Sequence, residues 1–236
     1  MSARRSAAIG LAVLFAGCGG GGFYDDYSSA TSGPMAADVQ AMPAGVEETP
    51  PAFGPAPTDP AEFVKNLSAN PAGTSDGLVR SRDWKTLPWA NPADVSPWKK
   101  RKDGDDVVLV VMSKGGEGDK TAASRLVRVA AEATGELRID VYYAGPGAAK
   151  IAVGVFASVD RVYSESMARD LKPGWNRVAF DLSAETFKTA ASEWRNSAKL
   201  WGPDDLREIV ILFYHDRPAA FAIDGVEIDG KMTETD

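Results

Sequence analysis

The chain is 236 residues long, with 26 Lys and Arg against 33 Asp and Glu, a formal net charge of −7, one cysteine and one histidine. The acidic balance excludes a nucleic-acid partner held through its phosphates, because the one basic run, Lys99 to Lys102, is answered at once by Asp103, Asp105 and Asp106. One cysteine leaves no intrachain disulfide, and one histidine leaves no His/Cys set for zinc.

Residues 1–17 read as a signal segment. Arg4 and Arg5 give a positive start, residues 6–16 carry no charge, and small Ala16 and Gly17 complete a cleavage context. The apolar stretch is too short to cross a bilayer, which takes about 20 such residues. "LFAGC", residues 14–18, resembles the bacterial lipobox, an aliphatic residue and two small residues before a cysteine, with Phe15 where leucine is usual. The resemblance implies cleavage before Cys18, lipid on its sulfur and a membrane anchor, each buried methylene contributing about 0.8 kcal/mol. Gly19 stands where aspartate in that pattern holds a lipoprotein at the inner membrane. The expected address is therefore the bacterial cell envelope, with the outer membrane favoured over the inner.

Residues 18–76 are rich in Gly, Ala, Ser, Thr and Pro, with prolines at 34, 43, 50, 51, 55, 57, 60 and 71. Such a segment buries too little apolar surface to offset the entropy of ordering, so it is expected to be a disordered, lipid-anchored tether. Extended Pro-rich chain spans about 3 Å per residue, enough to hold a domain clear of a membrane.

From residue 77 to 230 the composition changes to that of one folded domain, followed by a tail over 231–236. Short apolar runs over 107–112, 125–130, 136–143, 150–156, 161–167, 176–182, 208–214 and 221–228 are separated by glycine turns, among them "GPG" at 145–147 and "KPG" at 172–174. Runs of this length and spacing predict an all-β, antiparallel β-sandwich. One segment differs: Phe187, Ala190, Ala191 and Trp194 stand at helical spacing, which predicts one short amphipathic helix inserted over 184–196.

Strand faces follow from parity. Over 136–143, Leu137, Ile139, Val141 and Tyr143 alternate with Glu136, Arg138, Asp140 and Tyr142; over 175–182, Val178, Phe180 and Leu182 alternate with Trp175, Arg177 and Asp181. The first set of each is expected in the core and the second on a solvated face.

"LKPGWNRVAFDLS" (171–183), "LREIVILFYHD" (206–216) and "AFAIDGVEIDG" (220–230) occur in that order. Together they resemble the closing strands of the galactose-binding-like jelly roll found in many carbohydrate-binding modules, with Gly225 in place of the usual asparagine. The resemblance implies a jelly-roll sandwich and a glycan partner. With Arg138, Asp140 and Arg177 around Tyr142 and Trp175, the candidate glycan platform lies on these strands, provided they share a sheet. Trp89 and Trp201 are candidates in flanking loops. The residues a structural calcium would use, as in related jelly rolls, are Asp224 and the acidic loop of Asp103, Asp105 and Asp106.

Catalytic signals are sparse. His215 has no Gly-x-Ser-x-Gly nucleophile turn to serve and reads as a surface imidazole at a strand end. Glu165, Asp181, Glu193 and Asp224 supply carboxylates for a glycosidase pair, but among 33 acidic residues such pairs arise by chance. Of the six tryptophans, Trp84, Trp89 and Trp98 fall in one irregular stretch that reads as an entry segment sealing the sandwich, and Trp194 reads as packing. The function that emerges is non-catalytic glycan binding. The alternative is a structural or protein-interaction module of the envelope, and a glycoside hydrolase comes third.

Overall fold

The computed structural model describes residues 55–73, 79, 83–100, 106–115, 120–129, 135–157, 160–200, 206–228 and 232–233. Cys18 with its signal segment, the first part of the expected tether to residue 54, Asp103, Asp105, Trp201 and most of the tail lie outside the described residues.

In chain order the elements are α1 (Pro60–Lys65), β1 (Ala93–Lys99), β2 (Val107–Ser113), β3 (Lys120–Leu126), β4 (Arg128–Val129), β5 (Glu136–Ala144), β6 (Ala149–Ala157), β7 (Val162–Glu165), β8 (Arg169–Leu171), β9 (Gly174–Asp181), β10 (Leu206–Tyr214), β11 (Ala219–Ile228) and β12 (Met232–Thr233). One sheet runs β1-β2-β11-β5-β9 and a second β3-β10-β6-β7, with β8 also on β6 and a small β12-β4 pair apart. Every pairing is antiparallel, and β2 with β11 and β3 with β10 join strands far apart in sequence. The chain is a jelly-roll β-sandwich, as its pattern of short apolar runs predicts.

The inner faces carry the expected parity. Leu109, Val111, Leu137, Ile139, Val141 and Ile223 of the first sheet meet Ile151, Val153, Val155, Ile209 and Ile211 of the second. Phe221 ties the layers: its ring stacks on Phe213 of the opposite sheet at 3.9 Å and on Tyr143 at 5.4 Å. β9 lies beside β5 with Tyr142 opposite Trp175 and Asp140 opposite Arg177, so the two strands read by parity do share a sheet. Asp224 is the extra residue of a bulge between Ile223 and Gly225, which keeps Val226 and Ile228 facing inward beyond it.

The "KPGWN" turn has a physical account residue by residue. Gly174 sits at φ 90°, which a side chain would strain. The Asn176 amide donates to the Lys172 and Gly174 carbonyls at 2.8 and 2.9 Å and accepts from the Lys172 N–H at 2.9 Å, closing the turn.

Three expectations change. The tether was expected to continue to residue 76, yet 55–73 is seated on the first sheet's outer face. Asp59 caps α1 by accepting from the Ala61 N–H at 2.9 Å, Pro60 opens the helix, and Phe63 and Val64 bury against Val108, Val110, Met112, Ala220 and Ala222. No helix forms over 184–196. Lys188 and Phe187 instead make β-bridges to Glu165 and Ala198, and the Thr189 and Ser192 hydroxyls take the backbone N–H groups of each other's residues at 3.1 and 2.9 Å. Side chains of this kind compete with helical bonding. Finally, β1 arises in the stretch read as irregular; its Pro97 is tolerated because β1 is an edge strand.

Phe63→Ala should weaken docking of α1 by about 1.5–3 kcal/mol, the burial of one large apolar side chain. Limited proteolysis within 55–68 should then run at least about tenfold faster while the sandwich remains resistant. Cleavage at the unaltered rate would show that Phe63 does not hold this segment.

Candidate functional site

The expected platform on β5 and β9 is assembled but covered. Tyr142 and Trp175 meet edge to face at 5.4 Å, and above them Phe63 approaches Tyr142 at 6.1 Å while the Trp175 indole N–H donates to the Ser68 carbonyl at 3.1 Å. Both rings are half-buried. The charges beside them are consumed locally. Arg177 grips Asp140 with two hydrogen bonds of 2.8 Å, Asn70 adds a third at 3.4 Å, and Arg138 pairs with Glu136 at 2.6 Å. A sheet face expected to meet solvent is thus an internal interface with residues 55–73.

An open site lies on the opposite side of the molecule's core, on the outer face of the second sheet. A cleft of about 450 Å³ is lined by Trp89, Lys120, Phe156, Tyr163, Glu165, Lys188 and Trp194. Strand register supplies most of it: Phe156 opposes Tyr163, Gly154 opposes Glu165, and Lys120 opposes Tyr214. Gly154 is required, because a Cβ there would come within 2.6 Å of the Tyr163 hydroxyl and 2.7 Å of its ring; only a bare backbone lets Tyr163 lie down on the sheet. Phe156 and Tyr163 tilt together at 5.0 Å, and Trp194 approaches Tyr163 at 6.3 Å. Trp89 stands on a turn pinned to β3 by the Asn91 N–H donating to the Lys120 carbonyl at 2.9 Å, with the Lys120 ammonium 5.7 Å from its ring.

Two features mark the cleft as costly to maintain. Trp89 and Trp194 are 52% and 54% exposed, although large aromatics are mostly core residues. Glu193 and Trp194 also hold consecutive left-handed backbones, at φ 54° and 62°, a conformation that strains bulky residues and that concentrates at functional sites.

Glu165 organises the polar side. It is 2% exposed, and it accepts from Lys188 at 2.7 Å and from Tyr214 on one oxygen, and from Lys120 at 3.2 Å and Tyr163 at 3.0 Å on the other. The backbone bridge between Lys188 and Glu165 places their side chains together. Burial alone pushes this carboxyl upward, but the hydrogen bonds from Lys188 and Tyr214 and the charges of Lys120 and Lys188 outweigh it and hold Glu165 below the usual value. Burial, then the neighbouring Glu165 charge, pushes the Tyr163 hydroxyl well above its ordinary range, so it stays a donor.

Sequence reasoning placed Trp89 at a site and missed its partners. Phe156 was available from parity, since Ile151, Val153 and Val155 point inward, whereas Tyr163 comes beside it through the pairing of β7 with β6. Trp194 was hidden by the helical spacing of its segment.

The other candidates resolve differently. Asp224 is buried and meets the Lys100 ammonium at 2.5 Å, which also stands 3.8 Å from Asp106, so one lysine faces two of the four carboxylates proposed for calcium. Burial raises the Asp224 carboxyl against that pull. No three potential metal ligands gather among the described residues. His215 is buried rather than on the surface, its Nδ1 against the Arg217 carbonyl at 2.7 Å and its Nε2 against the Thr121 hydroxyl at 3.0 Å. Asp181 binds Ser183, and Glu193 binds Arg195 at 2.7 Å.

No family model matches the chain, and no curated protein matches its sequence. Among solved structures, it is similar to a family 11 carbohydrate-binding module from Clostridium thermocellum in complex with a β-1,3-1,4-mixed-linked tetrasaccharide, at 14% identity over 66% of this chain and 94% of that one, TM-score 0.47. It is similar to the solution structure of CtCBM11, at 11% identity over 68% and 95%, TM-score 0.49. An exo-β-agarase matches at 11% over 68% of this chain and 24% of that one, TM-score 0.45. The sandwich itself is set by the strand order above.

Because the folded pKa of Glu165 is lowered, its contribution is present above its unfolded value near 4.5 and is lost as pH falls through the lower folded value. Glu165→Gln should therefore flatten the loss of stability as pH falls from about 4.5 through the lower folded value, measured by urea denaturation across pH. An unchanged acid limb would place the acid sensitivity elsewhere.

Proposed function

We propose that this β-sandwich binds carbohydrate, without catalysis, in the cleft on the outer face of its second sheet, and that the chain is held in the bacterial envelope by lipid on Cys18. The observation that carries the binding site is the pair of exposed tryptophans, Trp89 and Trp194, set beside Phe156 and Tyr163 over a charged floor. A pyranose presents C–H groups on its faces and hydroxyls at its rim, so it stacks on flat aromatics and hydrogen-bonds to polar groups between them.

Binding rather than hydrolysis is supported by the carboxylates. Glycoside hydrolysis uses two that flank the bond, one of them protonated. Glu165 is the cleft's one lining carboxylate among the described residues, and its donors keep it ionised. The envelope address is supported by the charged start, apolar run and Ala-Gly-Cys ending of residues 1–18, and Gly19 favours the outer membrane.

Trp194→Ala and Trp89→Ala should each weaken glycan binding at least about tenfold from a micromolar-to-millimolar affinity, with circular dichroism unchanged. Glycan-array and calorimetric measurements on the full chain decide it. Retention of the two exposed rings for a protein partner, with no sugar bound at millimolar concentration, would favour the structural-module alternative.

Cys18→Ser should abolish incorporation of labelled fatty acid and leave unprocessed precursor. Normal membrane partitioning of a processed Cys18→Ser protein would remove the lipid anchor from the proposal.

A further inference from the structure

The charge of the cleft separates it from the rest of the chain. Its lining side chains carry two ammonium groups, Lys120 and Lys188, against one carboxylate, in a protein of net charge −7. The hydrogen-bond inventory is also one-sided. A carboxylate has about four acceptor positions, and the four donors around Glu165 take them up. Each ammonium has three donors; Lys188 gives one to Glu165 and keeps two, and both lysines are partly open to the cleft. Indole N–H groups only donate. Two further acids nearby are also engaged: Glu208 on this sheet face by Ser124 and Arg161, and Glu193, beside Trp194 in the chain, by Arg195. The site therefore offers aromatic faces and N–H donors, and lacks a carboxylate acceptor for sugar hydroxyl protons.

From this we infer that the ligand is an acidic glycan, a sugar chain carrying carboxylate groups of the uronate type, whose charge sits between Lys120 and Lys188 while its ring stacks on Trp194 or Trp89. The inference rests on the glycan reading above and narrows it. A carboxylate is favoured over a sulfate ester because the lysine ammonium is a compact, strongly hydrated charge, matched best by a compact, basic anion. Partial burial of both lysines strengthens the pairing relative to open solvent, and it should weaken as salt rises.

The test is calorimetry on the full chain with an oligogalacturonate, its methyl ester, a neutral mixed-linkage β-glucan oligosaccharide and a sulfated galactan oligosaccharide. The acid should bind about tenfold more tightly than its ester, and more tightly than the sulfated chain, with the difference shrinking at raised ionic strength. Lys188→Gln should bring the acid down to the level of the ester, whereas Lys188→Arg should keep the preference. The acid-against-ester contrast on the unaltered protein reads the charge alone, whether or not a lysine variant folds. If ester or neutral glucan binds as tightly as acid, and Trp194→Ala still abolishes it, glycan binding stands and the acidic specificity falls. Tighter binding of the sulfated chain overturns the uronate assignment. No binding of any of the four sugars removes the glycan reading and this inference with it.

Discussion

One interior strand of each sheet, β2 in the first and β10 in the second, is apolar on both faces, and that constraint shapes the rest of the molecule. In β2, Leu109 and Val111 point into the sandwich while Val108, Val110 and Met112 point out; in β10, Ile209, Ile211 and Phe213 point in while Val210 and Leu212 point out. A sandwich with solvated outer faces alternates apolar and polar residues, whereas strands covered on both sides read as continuous apolar runs. Each outer face here needs a cover. On the first sheet α1 and the chain up to Ser68 provide one; on the second, Leu87, Ala90, Ala168 and the aromatic rings provide an incomplete one. The cleft is where that second cover stops.

Glu165 holds the open face in shape. Four donors from three strands and the 184–196 segment converge on one buried carboxylate, so a single charge fixes two lysines and two tyrosines whose own side chains have many rotamers. This network sets the positions of the cleft walls. Side chains fixed in this way lose less rotamer freedom in any further contact they make.

Much of the sandwich was legible because its strands are short, β-branched and punctuated by glycine turns with a mechanical reason, as at Gly174. The parity of 136–143 and 175–182 correctly told inside from outside. It failed to show that outside was covered, because α1 is a single short helix in Pro-rich chain and the apolar cover amounts to its Phe63 and Val64 with Leu67 just beyond it. The unbroken run of β2 carried that message: a strand with no polar face has something on each side. The 184–196 segment misled because helical spacing is a weak signal when Thr189 and Ser192 bond the backbone locally. The convergence of residues 120, 163, 188 and 214 on residue 165 depends on strand neighbours that no single sequence displays.

The position of α1 also decides how the domain bears load. Strand ladders resist a pull because many hydrogen bonds must yield together; a short helix lying on a sheet face yields a few apolar contacts at a time. Among the described residues, 55–73 are held to the sandwich through α1, the Trp175–Ser68 hydrogen bond and the Asn70–Asp140 hydrogen bond. Tension from the Pro55 end is spent first on lifting the helix, which releases roughly a dozen residues of slack before any strand is strained, an extension of about 3.3 Å for each residue freed. Lifting α1 in this way would spare the strand ladders and leave the cleft on the far sheet untouched.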